Sequence, residues 1–168
     1  ESAVDRHPSF CPGLAVEKRI RSNESKMSEA STTSAAVGSH KHDLLITRLI
    51  PVNPATLYRC WTEAELLKQW FVPRPWTVAR AELDVRPGGQ CLVVMQDPDG
   101  QEFPNPGVYL EVVANRRLVF TDAYTAGWNP AAKPFMTAII SFEPEAGQTR
   151  YTACARHWSQ EAREQHLA

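Results

Sequence analysis

The sequence predicts an α+β domain: a first strand, two short helices, about six antiparallel strands forming a curved sheet, and a terminal helix. Three observations predict it. Period-two, β-rich runs dominate from Trp76 to Trp158, whereas helical spacing is confined to residues 54–71 and to the residues after Ser159. The β region is also punctuated at short intervals by Gly, Pro, Asn and Asp, as consecutive antiparallel strands require.

Asp43 to Val52 is rich in Leu, Ile and Thr and reads as the first strand. Asn53-Pro54 is a helix start, with Asn at the N-cap and Pro at the first helical position, and the helix runs through Ala55 to Trp61. Thr62 is expected to cap a second helix, Glu63 to Phe71, with Leu66, Leu67, Trp70 and Phe71 on one face. Pro73 and Pro75 end this pair.

Thr77 to Val85 alternates and is followed by Asp84-Val85-Arg86-Pro87-Gly88-Gly89, in which the glycines can supply positive φ. Cys91 to Met95 is the next strand, and Asp97-Pro98-Asp99-Gly100 is a turn with Pro at its second position and Gly at its fourth. Phe103 to Gly107 reads as a loop because of Pro104 and Pro106. Strands follow at Val108–Ala114 and Leu118–Tyr124, joined by a turn at Asn115 to Arg117. Ala126 to Pro134 is a longer loop carrying Trp128. Phe135–Phe142 and Thr149–Trp158 are the last two strands, and Ser159 caps a helix beginning at Gln160.

Residues 1–41 are expected to be an unstructured segment, broken by Pro8, Pro12 and Gly13 and then rich in Ser, Thr and Ala, with 42–168 forming the folded domain. Met27 is a natural start, so residues 1–26 are read as vector-derived or upstream sequence. His40-Lys41-His42 reads as part of a solvated tail, because two imidazoles without a third ligand hold a metal weakly.

Eighteen basic and nineteen acidic residues give a formal net charge of −1. Such a balance lacks the basic field that nucleic acid or an anionic membrane would need. No run approaches the ~20 apolar residues of a membrane span. Cys11, Cys60, Cys91 and Cys154 are widely spaced and form no C-x-x-C pair; they read as structural thiols, which favours a reducing, cytoplasmic setting.

The segments Asn53-Pro54-Ala55 with Cys60 to Phe71, Asp84 to Gly89 with Asp97 to Gly100, and Pro106 to Val113 with Arg117 to Thr121 together resemble the START-like (SRPBCC) superfamily. Within it they resemble the bacterial proteins grouped with the activator of heat-shock protein 90 ATPase. The resemblance covers about residues 43–168. It implies a helix-grip, Bet v 1-like fold, with an apolar cavity between a curved sheet and a long C-terminal helix. This chain supplies only Gln160 to Ala168 for that helix, so the helix reads as truncated.

The resemblance implies that a hydrophobic small molecule is bound in the cavity. The candidate lining residues are Trp70, Phe71, Trp76, Met95, Tyr109, Phe120, Trp128, Met136 and His157. Ordinary core packing accounts for most of the aromatic set. Asp84, Arg86 and Glu111 form either a positioned acid–base group or a salt bridge pinning the Gly-Gly turn. Arg156 and His157 point to opposite faces of the last strand. His157 is either a general base or a hydrogen-bonded rim histidine. No triad order, H-E-x-x-H, phosphate loop or dinucleotide fingerprint is present, so no cofactor or metal is expected.

Two alternatives accompany the binding reading. One is a cyclase- or hydrolase-like enzyme using the same cavity, which needs a buried ionisable residue such as Asp84, Glu111 or His157. The other is a co-chaperone that stimulates a heat-shock protein 90 type ATPase. Exposed strand edges also offer a route to a homodimer.

Overall fold

Turn chemistry and strand patterning set the order of elements in the computed structural model, which describes residues 40–167. The expectations for the segment before His40 lie outside these residues. The elements are β1 (Asp43–Ile50), α1 (Pro54–Thr62), α2 (Ala64–Leu67), β2 (Thr77–Leu83), β3 (Gln90–Gln96), β4 (Glu102–Val113), β5 (Arg117–Thr121), β6 (Tyr124–Thr125), β7 (Asn129–Pro130), β8 (Met136–Glu145), β9 (Gln148–His157) and α3 (Gln160–Leu167). Seven strands form one sheet in the order β1-β9-β8-β5-β4-β3-β2, with every neighbouring pair antiparallel. The first and last strands of the described residues therefore pair, and β6 and β7 form a separate hairpin.

The helix α1 begins as its sequence requires: the Asn53 side chain accepts a hydrogen bond from the Thr56 backbone N–H at 2.9 Å, with Pro54 in the first turn. The second helix is shorter than expected. Glu63, not Thr62, stands at its N-cap, because the Thr62 hydroxyl donates back to the Tyr58 carbonyl inside α1. Only Ala64–Leu67 is helical, yet Leu67 and Trp70 are still buried.

The region read as a loop at residues 103–107 is strand. β4 pairs with β3 from Glu102 to Val108, and its pairing with β5 begins only at Val108. Pro104 and Pro106 thus sit where β4 has a sheet partner on one side, and a missing N–H can face away from the ladder. Between Tyr109 and Glu111 the register skips a residue, a bulge that leaves Leu110 exposed.

The core lies between α1 and one face of the sheet. Leu57, Cys60 and Trp61 pack with Tyr109, Leu118, Ile140, Phe142 and Tyr151. A smaller cluster joins Leu67 of α2 to Val78 and Val93. The hairpin between β8 and β9 closes over Ala146 and Gly147, both at positive φ (47° and 80°), the two-residue geometry that matches strand twist.

Cys91 and Cys154 are buried thiols, and burial pushes each up to about 11. Cys60 departs from the expectation of four structural thiols: it is buried in α1 and disulfide-bonded.

The start of β8 is held by Asp122. Its carboxylate accepts from the backbone N–H of Phe135 at 2.9 Å and of Met136 at 3.1 Å. Asp122→Ala strips both donors of their acceptor and is expected to cost about 2–3 kcal/mol. Asp122→Asn, which keeps an acceptor oxygen, is expected to lose less than half of that. Urea denaturation midpoints of the three proteins check both values.

Candidate functional site

Alternation along the strands and the register between them define the candidate site. Phe120, Ala138, Ala155 and Leu44 lie side by side across β5, β8, β9 and β1. The next row on the same face is Leu118, Ile140, Ala153 and Ile46. The α1 side of this face is closed by core packing. Towards the other end, Phe120, Met136, Ala153, Ala155, Leu44 and Ile46 are only half-buried. Alanines at three central positions make this part of the face a shallow apolar trough between larger side chains.

Aromatic residues wall the α1–α2 end. The Trp61 ring lies 4.6 Å from Trp70, 6.3 Å from Phe71 and 6.0 Å from Phe120, and Phe120 lies 6.1 Å from Tyr109. These edge-on and tilted contacts are typical of packed aromatic clusters. The Trp61 indole N–H is buried and meets no acceptor in hydrogen-bond geometry among the described residues. Burial raises the Tyr151 pKa, and the nearby Trp61 offsets part of that rise, although the pair does not close a hydrogen bond. Burial likewise holds the Tyr109 hydroxyl un-ionised, and the neighbouring Cys91 adds to the effect.

The opposite end is built from histidines. His157 is 3% exposed, and both of its ring nitrogens are engaged. Nδ1 donates to the His42 carbonyl at 3.0 Å, and Nε2 lies 2.8 Å from Nδ1 of His166 on α3. The Phe135 ring stands edge-on to His157 at 5.3 Å. His42 is consequently not part of a solvated tail: its carbonyl also accepts from the His157 backbone N–H, and its own Nδ1 is buried. Among the described residues no group of three or more His, Cys, Asp or Glu side chains is placed to hold a metal ion.

The nine residues expected to line a cavity are distributed as follows. Phe120, Met136 and His157 share the trough face, with Tyr109, Trp70 and Phe71 in the aromatic wall. Trp76 and Met95 lie at the far end of the sheet, where the Trp76 ring stands tilted at 5.2 Å from Phe103, the cross-strand partner of Met95. Trp128 is 55% exposed on the β6–β7 hairpin, at φ 62°, with its ring against Gly88. It stands beside a separate open cleft of about 460 Å³, bordered by Glu82, Asp84, Arg86, Gly88, Gln90 and Gly127.

The charged residues do not form a catalytic group. Arg86 pairs with Asp84 at 2.7 Å on the residues leading into the Gly-Gly turn, while Glu111 pairs with Arg117 at 3.1 Å, and all four side chains are at least one-third exposed. Arg156 pairs with Asp43, whose carboxyl is held below the usual carboxylate range by the Arg156 hydrogen bonds despite its burial. Sequence reasoning missed Trp61 and the alanines as site residues. The alternation of Ala153 with Ala155 was the available signal for the trough. Nothing local signalled His166.

A seven-stranded antiparallel sheet wrapped around helices on one face, with the terminal strands paired and a helix following the last, defines a START-like, helix-grip protein. Residues 51–168 match the family described as "Activator of Hsp90 ATPase homolog 1-like protein", and the chain belongs to that family. A crystal structure of a protein from Nitrosomonas europaea is similar at 43% identity and TM-score 0.72, with 76% of this chain and 83% of that chain covered. One from Mycobacterium smegmatis is 26% identical, with TM-score 0.60 over 74% of this chain and 78% of that one. The solution structure of an AHSA1-like protein from Aeromonas hydrophila shares the fold at 18% identity and TM-score 0.61, over 74% of this chain and 81% of the other. No curated protein matches the chain significantly. Among the described residues no helix is long and apolar enough to cross a membrane.

Proposed function

We propose that this chain binds a hydrophobic small molecule against the trough on the sheet face, between the Trp61–Phe71 wall and the histidine end. The observation that carries this reading is the apolar row Phe120–Ala138–Ala155–Leu44, buried at Ala138 and half-buried at the other three, beside a closed aromatic core. A face of this kind loses water favourably when an apolar ligand covers it, at about 25 cal/mol per Å² of buried apolar area.

Membership of a family whose fold is often used for ligand binding supports the same reading. The cytoplasm is the proposed setting, on the strength of two buried free thiols. The disulfide at Cys60 argues in the other direction, and thiol counting on protein from its own cell decides between them.

No observation favours the enzyme alternative. Asp84 is exposed, Glu111 is partly buried, both are ion-paired, and His157 has both ring nitrogens committed. No described feature favours the co-chaperone alternative.

Titration with an environment-sensitive apolar dye such as anilinonaphthalene sulfonate tests the reading. Saturable one-to-one binding is expected, weakened about tenfold or more by Ala155→Phe, which fills the trough with little change in stability. Dye binding that Ala155→Phe leaves unchanged, in a protein that still unfolds cooperatively, would overturn it.

A further inference from the structure

We propose that His157 and His166 form an acid-operated latch that holds α3 against the end of the sheet and releases it when both rings are protonated. The His42 carbonyl can only accept, so Nδ1 of His157 carries a proton at 3.0 Å from it. The 2.8 Å contact between Nε2 of His157 and Nδ1 of His166 then needs one proton between two nitrogens. In the neutral pair Nδ1–H of His166 donates to Nε2 of His157. One added proton goes to the other nitrogen of His166 and leaves that bond in place, now charge-assisted. A second added proton can only go to Nε2 of His157. Two N–H groups then face each other, and two like charges meet where the buried His157 ring touches the exposed His166 ring.

Among the described residues α3 is also held to the sheet by Arg163 Nε donating to the Asp43 carbonyl at 3.3 Å and by the Phe135 ring 5.8 Å from His166. The other charged and titratable groups at this end are His40 and His42 before β1, Asp43 and Arg156 across β1 and β9, and Glu161 and Arg163 on α3. Asp43 is paired with Arg156 and stays ionised to below the ordinary carboxylate range, so it does not titrate where imidazoles do. Burial lowers the His166 pKa from 6.5, with the nearby His157 adding to the effect. The folded state thus favours neutral His166.

Hydrogen exchange read by mass spectrometry tests the latch, with rates corrected for the intrinsic effect of pH. Between about pH 7.5 and about pH 5, protection of residues 160–167 is expected to fall about fivefold or more, with the β8–β9 hairpin unchanged. In His166→Asn the amide can donate to Nε2 of His157 or, turned over, accept from it. Protection of α3 in that variant is expected to stay constant across the same range. Flat protection in the unsubstituted protein, or an equal fall in His166→Asn, would overturn the latch.

Discussion

Gly89→Ala is expected to leave little folded protein. An added Cβ would sit 1.9 Å from the Asp84 carbonyl oxygen and 2.9 Å from the Arg86 carbonyl. Both contacts are with backbone, so no side chain can rotate away to make room. The turn cannot shift either. Gly89 N–H donates to the Arg86 carbonyl, the Gly89 carbonyl accepts from Tyr109 N–H, and Gly88 N–H donates to the Tyr109 carbonyl at 2.7 Å. Relief of the clash would break the ladder between this turn and β4, next to the buried Tyr109. The expected loss is about 4 kcal/mol or more, a large share of a small domain's stability. Gly100→Ala is the comparison. Gly100 has φ 85° but open space around it, so only the backbone penalty of about 1 kcal/mol applies. Equal loss of soluble, cooperatively folded protein in the two variants would sink this account of the turn.

Phe142→Ala is the second large effect. Phe142 has no exposed surface and stands where α1 meets the sheet, edge-on to Tyr58 at 6.0 Å and beside Tyr151 at 6.1 Å. Its removal leaves a cavity walled by a helix and two paired strands, β8 and β9, which cannot collapse without breaking register. A loss of about 3–5 kcal/mol follows from the transfer and cavity terms together. Phe142→Leu, which keeps most of the volume, is expected to lose about half as much or less. Chemical denaturation of both variants measures the difference, and a Phe142→Ala protein within 1 kcal/mol of the parent, against the ~3–5 expected, would show that the helix repacks freely.

Most of the strand and turn order was legible because its causes are local. Asn53-Pro54 caps and starts α1, Asp97 to Gly100 makes its turn with Gly100 N–H on the Asp97 carbonyl, and Ser159 caps α3 through the Ala162 N–H. The errors share one cause. Pro104 and Pro106 looked like loop residues because sequence alone could not say that one side of that strand faces no neighbour. Thr62 looked like a cap because sequence could not say that its hydroxyl would turn back to Tyr58.

The candidate site was less legible still. The large aromatic residues stood out, but the trough owes its depth to alanines, whose small size carries no signal without the register that sets them side by side. Sequence by itself determined the order of the helices and of the long strands apart from the start of β4, the need for glycine near residues 88–89 and the family, because these depend on propensity, turn geometry and pattern; the β6–β7 hairpin, read as part of a loop, was not legible. Only the tertiary structure decided that Gly89 is needed for space and Gly88 for its φ of 77°, that Glu111 pairs with Arg117, and that His157 meets His42 and His166. Those contacts join residues brought together by β1 pairing with β9 and by α3 folding back, and no local propensity encodes such meetings.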